Sequence, residues 1–383
     1  LTTILVVGAF VGVQVATRDQ HPEASAGTGR LRPLVVSSPH PGRSADTAQL
    51  TLIDALIEAR QDPHDNVIQF DPKVFKSSEL SIRLPEALVI SDESGGHDRI
   101  DGALPDGLVT LDSSDCPDAG IMVSGKAQIS LMNLAVRGGR LRGILISANA
   151  RLNLDNVLVR DCLGPGVAVF GEARVHIRGG SINTNGSHGV EVRDRALADL
   201  EDVRLSGNGQ SDVAGFDQGG IFAAGCQMSS AADWNVVLSD EAQAILTRCA
   251  LSRARFANAD ASERAKLRIA DSTIDESERT GIFATGQAVI DLTSTRLRRH
   301  SSRCIELQDE AAATIEASAM EFGGEYGMVL FGKSSVHASQ VRITDSGSHG
   351  VCLRQQARGW FDRCVFTGNR RSGIACPDAY EGG

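Results

Sequence analysis

The chain has 383 residues, 42% of them hydrophobic and only 4% aromatic, with 40 glycines. That is ample for a large aliphatic core, but poor for a sugar platform built wholly of exposed rings. With 38 Lys and Arg against 48 Asp and Glu the net charge is −10. This excludes the broad basic surfaces that nucleic acid and anionic membranes require, and it would repel an acidic polysaccharide unless calcium or a local arginine cluster intervened.

Residues 1–16 are almost wholly apolar and end in Val-Gln-Val-Ala. They are short for a membrane span and read as a signal or anchor remnant, followed by a polar, Ala/Gly-rich linker over 17–30. Residues 31–119 are expected to hold an N-terminal cap and the first coils. Leu34-Val35-Val36-Ser37-Ser38 reads as a strand. Thr51-Leu52-Ile53-Asp54 has the spacing of a capping box opening an amphipathic helix to about Arg60, and Val67-Ile68-Gln69-Phe70 reads as the next strand. A helix here would plug the first coil, whose open end otherwise exposes apolar core and unpaired backbone.

From Gly120 a glycine recurs at Gly143, Gly166 and Gly189, then in phase at Gly281, Gly327, Gly350 and Gly373, a period of 23 residues. Three apolar alternations fill each period. The first follows the glycine (Ile144/Ile146, Val167/Val169, Val190/Val192), the second is seen at Leu152/Leu154 and Val175/Ile177, and the third at Leu134/Val136 and Val203/Leu205. Three short period-two strands per turn predict an all-β, single-stranded parallel β-helix over 120–383. Between Gly189 and Gly281 the pattern is disturbed. Gly220-Ile221-Phe222-Ala223 matches Gly281-Ile282-Phe283-Ala284 but lies eight residues late, so either one degenerate coil sits here or loop insertions lie near 211–218 and 228–241, and the close match favours the insertions. The sequence stops part-way into the turn begun at Gly373, which reads as a fragment's end. The eight cysteines show neither a disulfide framework nor a metal-ligand spacing, and no metal site is expected.

Arg358-Gly359-Trp360-Phe361-Asp362-Arg363-Cys364-Val365-Phe366-Thr367-Gly368-Asn369, followed by Ser372-Gly373-Ile374, resembles the right-handed β-helix repeats of the pectin-lyase-like superfamily. The opening motifs around Thr51–Leu56, Asn66–Pro72 and Arg99–Gly102 are similar to those of secreted bacterial β-helix proteins. The resemblance implies fold far more than activity, since the same coil serves lyases, hydrolases, epimerases and non-catalytic scaffolds. Gly186-Ser187-His188-Gly189 and Gly347-Ser348-His349-Gly350 resemble the Gly-His-Gly of polygalacturonase-like hydrolases. They lack the accompanying aspartate motifs and are read as turns. Asp62-Pro63-His64-Asp65 resembles the Asp-Pro-His-Glu of mannuronan epimerases, but it falls in a loop and is read as coincidence.

The candidate catalytic residues are Glu191, Arg193 and Asp194, because a β-helix lyase needs a cationic base near carboxylates that hold calcium against the uronate. Glu172, Arg195, Asp212, Asp217 and Trp234 are the candidate binding residues, the last three brought alongside by the expected loops. Glu306, Asp309 and Glu310 form a second acidic group. The expected function is a monomeric secreted, surface or periplasmic protein contacting polysaccharide along its face without catalysis or cofactor. The alternatives are a lyase or hydrolase acting on acidic glycans, with calcium only in the lyase case, and a structural or adhesin-type scaffold.

Overall fold

The computed structural model describes residues 32–43, 49–62, 64–76, 80–92 and 97–377. The segments expected to be a signal or anchor remnant and a linker lie outside them. Among the described residues the chain winds into a parallel β-solenoid of about 12 turns with three parallel sheets and one helix. Sheet I runs from Arg32–Val36 to Arg358–Asp362, sheet II from Ser81–Arg83 to Val365–Thr367, and sheet III from Leu88–Asp92 to Ile374–Ala375. From Ala119 onward successive strands of a sheet pair at an offset of 23 residues, as in Leu152↔Val175 and Ile144↔Val167, whereas the first coils are longer, as in Val67↔Arg99 and His97↔Gln128.

Alternation drives the closure. On each sheet every second side chain points into the tube, and those positions are the aliphatics of the three predicted rows. Leu152, Val175, Leu200, Leu246, Leu267, Ile290 and Ile315 are all buried, as are Ile144, Val167, Val190, Val236 and Ile282. Large and small residues trade places between coils. Ile221 and Ala223 sit over Ala244 and Leu246, which keeps the cross-section filled at constant volume.

The helix Leu52–Gln61 closes the first coil as expected. Thr51 caps it, its hydroxyl oxygen accepting the Asp54 N–H at 3.1 Å, and Leu52, Ala55, Leu56 and Ala59 turn inward against the strands Arg32–Val36 and Asn66–Phe70. The remaining backbone needs are met between coils, because each strand bonds to the one above and the one below.

The expected insertions near 211–218 and 228–241 are absent. Ser211–Gly215, Trp234–Leu238 and Ala257–Ala261 are ordinary sheet III strands in unbroken register, Val213↔Val236 and Val236↔Ala259. Gly220–Ala224 belongs to sheet I instead, in register with Leu197–Glu201 and Gln243–Thr247. Its match to Gly281-Ile282-Phe283-Ala284 joins different faces of the tube.

What breaks between Gly189 and Gly281 is the glycine rhythm alone. Gly143, Gly166, Gly189, Gly281, Gly327 and Gly350 each lie against a carbonyl oxygen of the next coil and a turn residue 19 positions later. A Cβ at Gly166 would meet Asn185 Nδ2 at 2.7 Å, at Gly189 Asn208 Nδ2 at 2.9 Å, at Gly143 Cys162 Sγ at 2.7 Å, and at Gly281 His300 Nε2 at 2.7 Å. Where the facing residue is small, the glycine gives way to a larger one. Asp212 faces Ala231, Asn235 faces Ala254 and Cys304 faces Gly323, with Asp212, Asn235 and Cys304 fully buried. One partner of each pair fills the space that the other leaves.

All eight cysteines are unpaired. Cys226 and Cys249 stack one coil apart, each thiol directed at two backbone carbonyls at 3.5 Å.

Candidate functional site

The outer face of sheet III is where chemistry-bearing side chains gather. Val190 and Val192 point into the tube, so Glu191 between them points out, and the register carries this outward column through Ala168, Glu191 and Ala214. It continues through Val237, Asp260, Phe283, Glu306 and Val329. Three carboxylates share one floor. Asp260 is 69 residues, three repeats, beyond Glu191, or about 14 Å at ~4.8 Å per coil. Glu306 lies two repeats further, about 10 Å on.

Their surroundings differ. Glu191 is nearly covered and paired with Arg193, whose guanidinium lies 4.2 Å from the Phe216 ring centre. Glu306 is held by Arg303 and receives a hydrogen bond from Gln308 at 2.7 Å. Asp260 is half-buried, and burial pushes its carboxyl up to about 6, a rise that a hydrogen bond from the Trp234 indole partly offsets. A carboxyl in that range exchanges its proton near neutrality and suits acid–base work.

An aromatic wall stands beside Asp260. Trp234 and Phe256 have ring centres 5.9 Å apart, and the Arg255 and Arg279 guanidinium groups stack 4.8 and 5.7 Å from the Phe256 ring. Arg255 is anchored by Asp233 at 3.1 Å. Phe283 follows Asp260 along the floor. At the other end of the same strands come Ser239, Ser262 and Thr285. The result is a strip with rings on one side, hydroxyls on the other and an ionisable carboxyl between them.

The structure separates the sequence-derived candidates. Glu191 and Arg193 meet as an ion pair on the face, and Trp234 joins the face two coils on, from a strand rather than a loop. Asp194 and Asp217 occupy a left-handed turn position, both with φ of 55°, where their carboxylates accept the backbone N–H groups of Gly171 at 2.8 Å and Asp194 at 3.2 Å. Asp240 continues the column by accepting the Asp217 N–H at 3.0 Å. Arg195 and Glu172 pair at 2.6 Å around the corner. Asp212, expected in a binding loop, is inside the tube with 0% exposure. It accepts hydrogen bonds from Asn208 at 2.8 Å and Asn235 at 3.0 Å.

Asp260, Phe256 and Phe283 were not recognised from sequence. Adding 23 repeatedly to Glu191 reaches all of the floor column, but the expected insertions interrupted that count. Of the two Gly-Ser-His-Gly turns, His188 is buried, its Nδ1 at 2.6 Å from Ser211 Oγ, while His349 stacks on Tyr326. Asp62 ends the capping helix, its carboxylate 2.7 Å from His64 Nδ1, and belongs to no coil face. Among the described residues no three His, Cys, Asp or Glu side chains converge as metal ligands.

A family model described as "right handed beta helix region" matches residues 142–297 and 280–381. No curated protein matches the chain in sequence. Among solved structures, the periplasmic alginate epimerase AlgG aligns with a TM-score of 0.63 at 10% identity, covering 88% of this chain and 86% of that one. The catalytic unit of a thermostable GH87 α-1,3-glucanase from Streptomyces thermodiastaticus aligns with a TM-score of 0.54 at 11% identity, covering 88% and 67%. The Dettilon tailspike protein aligns with a TM-score of 0.53 at 12% identity, covering 88% and 68%. At these identities the likeness is one of fold.

Proposed function

The chain belongs to the right-handed beta helix family, and from that premise we propose that it acts outside the cytoplasm by taking a polysaccharide along the outer face of sheet III. The observation that carries this reading is the pairing of the Trp234–Phe256 wall with Asp260. Sugar rings offer an apolar face and an edge of hydroxyls. A stacked aromatic meets the first, while a carboxyl and a row of Ser and Thr hydroxyls meet the second. A solenoid adds length, because successive coils repeat the same strip for successive sugars. Structural neighbours that include an alginate epimerase and an α-1,3-glucanase support the substrate class. A neighbour termed periplasmic supports the location.

A second reading is favoured by one observation. Asp260 carries the raised carboxyl, and Glu306, two coils away, is paired with Arg303. Their coil spacing of about 10 Å is close to the roughly 6.5–9.5 Å between the carboxyl groups of acid–base pairs that invert a glycosidic centre. Turnover would then be hydrolytic, with Asp260 as proton donor.

Calorimetric titration with a panel of neutral and acidic oligosaccharides tests the main reading. At least one binds the wild type, and Trp234→Ala weakens it about 10-fold or more, in line with the roughly 1–3 kcal/mol seen for a stacked ring. Equal affinity in the variant, or no ligand in the panel, would refute it.

A further inference from the structure

Along the outside of this solenoid, charges on neighbouring coils are matched by sign. Arg178 meets Asp155 at 2.5 Å, Arg298 meets Asp275 at 3.0 Å and Arg264 meets Glu241 at 2.5 Å, each across one coil. Where two arginines stand in register, as Arg137 and Arg160 do, each has its own carboxylate, Asp112 at 2.5 Å and Asp161 at 3.1 Å. The stacked acids of the Asp194 column are likewise satisfied by backbone N–H groups.

Arg151 and Arg174 break this pattern. They are directly opposed in register at the start of two adjacent sheet I strands, about 4.8 Å apart at the backbone. Neither has an ion-pair partner among the described residues. Like charges so placed repel, in a chain whose net charge is −10. They line a shallow depression with Asn149, Glu172, Arg195 and Leu197. The one acid there, Glu172, is already engaged by Arg195 at 2.6 Å. Lys126, exposed in the column of Asn149 one coil earlier, adds a further cation. The depression lies on the shoulder between sheets III and I, apart from the Trp234–Asp260 strip.

We propose that Arg151 and Arg174, with Arg195 beside them, form an oxyanion site. The oxyanion is the sulfate or carboxylate substituent of an acidic polysaccharide, a source that rests on the polysaccharide reading above, whereas the anion site itself does not. Two neighbouring guanidinium groups offer N–H donors to a planar or tetrahedral anion, and the bound charge replaces their repulsion with attraction. The site gives an acidic protein a local means of accepting an acidic chain.

The test uses the full chain and three probes: inorganic sulfate, sulfated or uronate oligosaccharides, and a neutral oligosaccharide of equal length. At ionic strength held constant with sodium chloride, millimolar sulfate raises the wild-type Tm with saturation. The double variant Arg151→Gln/Arg174→Gln loses that response, and Trp234→Ala keeps it. Without sulfate, Arg174→Gln alone melts higher than wild type, because the repulsion is gone. No sulfate response, an equal response in the double variant, or an unchanged or lower anion-free Tm in Arg174→Gln would each overturn the site. Binding of acidic oligosaccharides at least 10-fold tighter than of the neutral one, lost in the double variant, upholds the polysaccharide as source. A sulfate response without that preference upholds the site and overturns the source.

Discussion

Asp212→Asn is the most informative substitution inside the tube. Asp212 is fully buried, and desolvation pushes its carboxyl up to about 7 against the amides of Asn208 and Asn235, which hold it down. In the unfolded chain the same group titrates near 3.8, as a solvated aspartate does. The folded form therefore prefers the proton. The group's stabilising contribution is complete below about pH 4 and is lost as pH rises through about 7. A shift of about three units corresponds to on the order of 4 kcal/mol at most. Asparagine keeps the shape and carries no charge, and the buried Asn235 Oδ1, which has no hydrogen-bond partner, gains a donor if the amides reorient. Urea unfolding from pH 5 to 9 measures the outcome. The wild-type midpoint falls across this window relative to the variant, and at pH 8 Asp212→Asn is the more stable by on the order of 1 M urea. Parallel pH profiles, or a less stable variant at pH 8, would refute the placement of an ionisable carboxyl in this core.

Two further outcomes follow from the same geometry. Gly281→Ala places a Cβ 2.5 Å from the Cys304 carbonyl oxygen and 2.7 Å from His300 Nε2 and costs about 1–3 kcal/mol by overpacking, of which the His300 part is open to relief. His300→Ala costs about 2–4 kcal/mol by leaving a cavity, and the double variant recovers at least ~1 kcal/mol of the sum in a urea double-mutant cycle. Strict additivity would contradict the volume exchange between facing positions. Asp260→Asn removes the inflection near pH 6 from any glycan affinity or turnover, measured by titration across pH 4.5–8. An inflection that survives in the variant belongs to another group.

The 23-residue period, the three alternations and the capping helix were legible because each follows from a local rule: a row of aliphatics, a period of two, a Thr three residues before an Asp. Between Gly189 and Gly281 that legibility failed, since glycine was taken as the marker of a coil. The coil is marked by its register rather than by its glycine, so Asp212 holds in its coil the place that Gly189 holds in the coil before. That misreading moved Asp212 to a surface loop and hid Asp260. Trp234 was singled out from the sequence, but its neighbours Phe256 and Asp260 come from the next coil. The Asp194 and Asp217 carboxylates serve turns, a role that depends on a left-handed backbone which residue type alone does not reveal.

The central claim, that a polysaccharide lies against the Trp234 wall, is tested most directly by indole fluorescence. The chain has two tryptophans, so Trp360→Phe leaves Trp234 as the sole indole reporter. Titration with the tightest oligosaccharide of the panel is predicted to shift its emission saturably, at the concentration that calorimetry gives. A calorimetrically bound oligosaccharide that leaves this emission unchanged would contradict the account.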